Sequence, residues 1–197
     1  MPAGARLKGD TLKLETYLYM KLSFIFSQIY WRLFNKPEKY ARHIGVNIGN
    51  NNLIGWNHWS SEPYLITIGS NCQLTNCKIH THGGGNVIRK EIPDFDIFGK
   101  VVIGNWVYIG YGAQIMPGVI IEDNVLVAAG SIVTKSIPAG CIVAGNPARI
   151  IGHLDDYKKR NLKWNVKTKG FSFNKKKEIL LSLEDEHFIT KEFLLEK

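Results

Sequence analysis

Between Val101 and Ile137 an aliphatic residue returns at every sixth position: Ile103, Ile109, Ile115, Ile121, Val127 and Val133. Four residues after each comes a second set, Val107, Ala113, Val119, Val125, Ser131 and Ile137, every member small or β-branched. Neither an α-helix, with its period of 3.6, nor a half-buried strand, with its period of 2, produces a strict six. Such a period fits a solenoid of short parallel strands. The first aliphatic points into a shared interior and the second, smaller residue fills a corner. Upstream, Ile48-Gly49, Ile54-Gly55 and Ile68-Gly69 repeat the aliphatic–glycine pair also found at Ile103-Gly104 and Ile109-Gly110, and Leu74 keeps the register of Ile68. From Ile68 to Ile103 is 35 residues, which is not a multiple of six, so an insertion interrupts the repeat at about residues 82–100.

A solenoid over residues 44–151 leaves a helical segment at 1–43 and a helical tail at 152–197. The net charge of +8 lies on these flanks: +5 over residues 1–43, zero over 44–150 and +3 over 151–197. No nucleic-acid-binding motif accompanies it, so nucleic acid is not an expected partner. Residues 12–34 read as a helix without Gly or Pro. It is apolar on several faces but interrupted by Glu15, Lys21, Gln28 and Arg32, which argues against a membrane-spanning segment. Packing over the solenoid end or against a neighbouring subunit is expected. The alternative is peripheral contact with the inner membrane face through residues 12–34. Cys72, Cys77 and Cys141 are odd in number and show no CxxC spacing, and no cleavable signal sequence is evident; a cytoplasmic protein with reduced thiols is expected. Between Ile54 and Ile66 the repeat pattern breaks, and Trp56 and Trp59 there either pack or wall a sugar site. After Asn146-Pro147 the repeat ends. Residues 153–164 read as a short basic helix or loop, 167–177 as a polar turn around Gly170, and 179–197 as helically spaced.

The repeat, together with the ending Ala144-Gly145-Asn146-Pro147-Ala148-Arg149, resembles the hexapeptide-repeat acyltransferases over about residues 44–151. The resemblance implies a mainly β fold, a left-handed parallel β-helix with three hexapeptides per turn. The hand comes from the resemblance alone, since ordinary parallel crossovers are right-handed. It also implies a homotrimer that uses acetyl-CoA as co-substrate, bound along the later coils. Positions matching the donor site are Tyr111, Ala129, Thr134, Lys135 and Arg149, the last two supplying charge for the phosphates. Ser136 stands where the family's Val-Thr-Lys-Asp-Ile-Pro carries its aspartate.

The stretch Cys77-Lys78-Ile79-His80-Thr81-His82-Gly83-Gly84-Gly85 falls where the solenoid gives way to the insertion. Two histidines at i, i+2 in an extended segment point to one face, and the glycines permit close backbone approach. In similar sugar and polysaccharide acetyltransferases a Thr-His dipeptide at this place carries the general base, a role that falls here on His82, with His80 as rival. Imidazole suits that task near neutral pH. Gly83 stands where the family often has Asp, so the group that orients the ring must come from elsewhere. Glu91, Asp94, Asp96 or a backbone carbonyl are the candidates. Trp106 and Tyr108 are candidates to line the acceptor site. The insertion, with Arg89, is expected to reach a neighbour's site and select the acceptor. No HxxxxH pair is present and the remaining histidines lie far off in sequence, so no metal site is expected.

The resemblance, carried onto these residues, implies transfer of acetyl from acetyl-CoA to a hydroxyl of a surface polysaccharide or its precursor, directly in a ternary complex. The alternatives are N-acetylation of an amino sugar or a xenobiotic and, from another class, a non-catalytic trimeric sugar-binding scaffold.

Overall fold

The computed structural model describes residues 36–193 together with Lys21, Leu22, Ser23, Phe26, Ile29 and Tyr30. The helix expected over residues 12–34 therefore lies for the most part outside the described residues. The six described there are helical, with Leu22, Phe26, Ile29 and Tyr30 exposed.

A short helix α1 (Pro37–His43) opens the described fold, with proline in its first turn and Ala41 buried. Proline is tolerated there because the first N–H groups of a helix have no partner to lose. The chain then winds in triangular turns. The first carries β1 (Asn47–Ile48), β2 (Leu53–Ile54) and β3 (His58–Trp59), and the second β4 (Ile66–Ile68), β5 (Gln73–Leu74) and β6 (Lys78–Ile79). The third carries β7 (Val101–Ile103), β8 (Tyr108–Ile109) and β9 (Gln114–Ile115), and the fourth β10 (Ile120–Ile121), β11 (Leu126–Val127) and β12 (Ile132–Val133). Strands stack in parallel on three faces: β1-β4-β7-β10, then β2-β5-β8-β11, then β3-β6-β9-β12. An antiparallel hairpin, β13 (Cys141–Gly145) and β14 (Ala148–His153), closes the second face and joins it through β11.

The six aliphatics from Ile103 to Val133 all point inward and are at most 1 % exposed, and the second set behind them is at most 4 % exposed. Each fully buried aliphatic contributes roughly 2 kcal/mol of burial. The turns differ in length, and this decides where the site falls. Ile103 pairs with Ile121 and Ile115 with Val133, 18 residues apart. In the first two turns Ile48 pairs with Ile68, Ile54 with Leu74 and Trp59 with Ile79, 20 residues apart. One side of these turns is five residues long, from Ile54 to Trp59 and from Leu74 to Ile79, and a 3₁₀ turn at Pro63–Leu65 lengthens the first turn elsewhere. The apparent break around Trp56 and Trp59 is thus a change of side length. Strand β3 runs through it, and Trp59 packs partly buried against the core.

Arg42 donates to the carbonyls of Ile48 and Gly49. In the first turn Asn52 and Asn57 take the buried corner position, and their amide oxygens accept from Cys72 N at 2.6 Å and Cys77 N at 2.8 Å. A buried N–H left without such a partner would cost about 1–3 kcal/mol. Past β14 lies α2 (Leu154–Asn161), within the stretch expected to be a short basic helix. The last α-helix among the described residues, α3 (Phe173–Leu181), starts inside the stretch expected to be turn, because Ser172 caps it by accepting from Lys175 N. It ends where helical spacing was expected to begin. No helix among the described residues is long and apolar enough to cross a membrane.

Candidate active site

The insertion leaves the solenoid after β6 and returns to it at β7. Its base is a short antiparallel ladder: His82 bridges Phe98, Gly83 N donates to Ile97 O at 3.1 Å, and Gly99 N donates to Thr81 O at 2.7 Å. Beyond it, Arg89 Nε donates to Phe95 O at 2.9 Å and its Nη2 lies 3.3 Å from Asp96 Oδ1, which folds the loop back on itself. The loop and the first turn enclose a cleft of about 350 Å³ lined by His82, Glu62, the three glycines Gly83, Gly84 and Gly85, and the loop residues Asn86, Arg89, Asp96 and Phe98. Expected as a device reaching a neighbour, the insertion walls a cleft around the histidine of its own chain.

Within that cleft His82 Nδ1 stands 2.9 Å from Glu62 Oε2. The same oxygen accepts from Thr81 Oγ1 at 2.7 Å, and Thr81 is fully buried. Ser60 Oγ lies 3.2 Å and Ser61 Oγ 3.5 Å from the same imidazole nitrogen. The hydrogen bond from His82, aided by those from Thr81 and Ser61, outweighs burial and holds the Glu62 carboxyl down at about 2. An ionised carboxylate only accepts, so Nδ1 carries a proton, and in the neutral imidazole that tautomer makes Nε2 the acceptor. The group that orients His82 is therefore none of Glu91, Asp94, Asp96 or a backbone carbonyl. It is Glu62, which the 20-residue turn brings directly under His82. Trp59 opposite Ile79 already implies that pairing three residues further on, but only once the turn length is known.

His80 takes other partners: its Nε2 lies 3.3 Å from Gln114 Oε1 and its ring 6.3 Å from that of His58. Two residues apart, the histidines do not share a site, because the chain turns the corner of the prism at Thr81 and enters the loop ladder. Thr134 and Lys135 follow β12 at the corner between the third and first faces, where Ser60–Glu62 and His80–His82 also lie. Tyr111 and Ala129 occupy the next corner back, one turn apart, with Gly130 N donating to Tyr111 O at 2.9 Å. Arg149 is on β14, its Nη1 donating to Ala148 O. Trp106 and Tyr108 belong to the corner before the second face and to that face itself, Trp56 contacts Tyr40 with ring centroids 6.0 Å apart, and none of these three nor Trp59 lines the cleft. Trp106 has a left-handed φ of 57° and is 64 % exposed, at a corner where the other turns place Asn51, Asn71 and Asn124 in the same conformation. That backbone is easy for asparagine and strained for a bulky residue.

Cys72, Cys77 and Cys141 are buried and unpaired, and burial pushes the Cys77 thiol up to about 12, so none is placed to act as a nucleophile. Among the described residues no group of three His, Cys, Asp or Glu side chains could hold a metal ion.

Comparison with known proteins agrees with this architecture. Residues 100–135 match the bacterial transferase hexapeptide (six repeats) family. Protein CapG of Staphylococcus aureus is 40 % identical over 153 residues, spanning 75 % of this chain and 89 % of that protein. The galactoside O-acetyltransferase of Escherichia coli (strain K12) is 35 % identical over 123 residues, 61 % of this chain and 60 % of the relative. A solved galactoside acetyltransferase in complex with coenzyme A superposes with a TM-score of 0.52 at 26 % identity, covering 68 % of this chain and 80 % of that one. The chain belongs to the hexapeptide-repeat acyltransferases, and its solenoid is the left-handed parallel β-helix of that family. Its relatives include acetyltransferases, and the solved galactoside acetyltransferase holds coenzyme A while a hexapeptide-repeat acetyltransferase of Vibrio cholerae holds acetyl coenzyme A.

Proposed function

We propose that the protein O-acetylates a sugar hydroxyl on a surface polysaccharide or its precursor, with His82 as general base and Glu62 as the group that fixes its tautomer. The observation that carries this reading is the 2.9 Å bond from His82 Nδ1 to Glu62 inside an open cleft, which leaves Nε2 ready to accept a proton. As the hydroxyl oxygen attacks the thioester carbonyl, its proton passes to Nε2. When the tetrahedral intermediate collapses, the C–S bond breaks and the imidazolium returns that proton to the departing thiolate, giving an acetyl ester and coenzyme A. Glu62 stabilises the transient imidazolium without itself taking the proton.

Lys135, two strand spacings along the same edge from His82, suits the donor's phosphates, the pantetheine arm running back along that edge toward the imidazole. Tyr111 and Ala129 lie on another edge of the same chain, so a donor held between two edges requires two subunits. The homotrimer is the assembly that supplies them. Trp106 and Tyr108 would likewise reach a His82 cleft only across that interface.

The test is a steady-state thiol-release assay with acetyl-CoA and a panel of glycosides. His82→Ala should lower kcat by about 10²–10⁴-fold. Glu62→Gln should lower kcat by a lesser factor, with little change in the acetyl-CoA KM. Full activity of His82→Ala refutes the assignment.

A further inference from the structure

The cleft contains more than its histidine and glutamate, and the remainder bears on which acceptor it takes. Phe98 is the antiparallel bridge partner of His82. Directly opposed residues in such a ladder present their side chains on the same side, with Cβ atoms roughly 5 Å apart. Phe98 is 53 % exposed and lines the cleft. An apolar ring therefore stands beside the base on one face of the ladder, as a platform needs to if a flat apolar surface is to rest there while a hydroxyl at its rim meets Nε2. A pyranose has that amphipathic form.

The fixed charges narrow the class further. Those lining the cleft are Glu62 and Asp96 against Arg89. The other charged residues of the insertion, Lys90, Glu91, Asp94 and Lys100, cancel one another. With the imidazole neutral, as a base must be, the cleft carries one negative charge in excess. A second negative charge brought in on the acceptor meets that excess in a partly desolvated space, where like charges are costly. Arg89 and Asp96, held together at 3.3 Å, offer one donor and one acceptor side by side, which matches adjacent hydroxyls and not a carboxylate. Gly84 adds room. Its φ of −79° is open to any residue, and an added Cβ would meet nothing within 4 Å, so neither backbone nor packing demands a glycine there.

We propose that the insertion forms an acceptor subsite for an uncharged pyranose, its apolar face on Phe98, its ring hydroxyls on Arg89 and Asp96, and the space for it kept by Gly84. This rests on the sugar O-acetylation reading above and specifies its acceptor. The experiment measures kcat/KM by thiol release for the full chain with methyl glycosides of a neutral hexose, an N-acetylhexosamine and a hexuronate. The uncharged glycosides should exceed the hexuronate by at least about tenfold. Phe98→Ala and Phe98→Leu should each raise the KM of the neutral acceptor several-fold with the acetyl-CoA KM unchanged, leucine testing the ring separately from its bulk. Gly84→Leu should do the same by narrowing the cleft. Preference for the hexuronate, or an acceptor KM unmoved in Phe98→Leu and Gly84→Leu alike, overturns the subsite while leaving sugar acetylation standing. Acetyl transfer to amines with none to any glycoside overturns both.

Discussion

Gly110 and Gly112 lie two residues apart on the same turn, yet the structure favours glycine at each for a different reason, and substitution separates them. A Cβ on Gly110 would come within 2.5 Å of Ala129 N and 2.8 Å of Ala129 Cα, backbone atoms of the turn stacked above. Bringing 2.5 Å out to the 3.4 Å of an ordinary contact displaces that turn by about 0.9 Å. The hydrogen bond from Gly110 N to Val127 O, now 2.9 Å, then exceeds the length at which it counts as one. Overpacking of this kind costs about 1–3 kcal/mol and the lost bond about 1 more, so Gly110→Ala should destabilise by roughly 2–4 kcal/mol. Gly112 has open space but a φ of +70°, so Gly112→Ala should cost about 1–2 kcal/mol for backbone strain alone. Asparagine distinguishes the two mechanisms, because Asn76, directly below Gly112 in the stack, already adopts a φ of 45°. Gly112→Asn should lie within about 1 kcal/mol of the parent protein, whereas Gly110→Asn should be at least as damaging as Gly110→Ala. Urea unfolding followed by far-ultraviolet circular dichroism, at one fixed protein concentration, measures all four. Equal midpoints for Gly110→Asn and Gly112→Asn would refute the steric argument.

Two further outcomes follow from the site and its neighbourhood. Because the Glu62 carboxyl is held at about 2 against an ordinary 4.5, its contribution to stability is complete above about pH 4.5 and is lost as pH falls toward 2. Acid titration of unfolding should therefore show a component in that window that is missing from Glu62→Gln, and identical acid limbs for the two proteins would contradict it. Trp106→Asn relieves a left-handed tryptophan and should raise stability by about 1 kcal/mol, some 2–4 °C in Tm. If the ring serves an acceptor in a neighbouring subunit, kcat/KM falls in the same variant while Tm rises; a lowered Tm would refute the strain.

The third and fourth turns are legible from the chain because each side there is six residues long, so Ile103 to Val133 declare both the period and the inward face. His82 is legible too, through the Thr-His dipeptide and its position where the register breaks. Glu62 is not, for a geometric reason. Between the first two turns a five-residue side and a side lengthened by the 3₁₀ turn at Pro63–Leu65 together make the stack repeat after 20 residues, and a reader counting in sixes does not set position 62 under position 82. The acidic residues that look available, Glu91, Asp94 and Asp96, are near in sequence, while the one that bonds the ring is near only across the stack. Trp59 misleads for the same cause: at a shifted register an interior tryptophan resembles a loop aromatic. The start of α3 is hidden behind Gly170 and a run of lysines, and the single feature that marks it is the serine cap at Ser172.

The insertion is tied off at its root by Thr81, His82 and Gly83 against Ile97, Phe98 and Gly99, while β4 and β7 pair across the gap as though nothing intervened, Ile68 beside Ile103. Its length is thereby uncoupled from the stack. Residues can be gained or lost between Gly84 and Asp96 without moving Lys135 or unseating His82, so under the function proposed above what the enzyme recognises is free to change over generations while the residues assigned to acetyl transfer stay as they are.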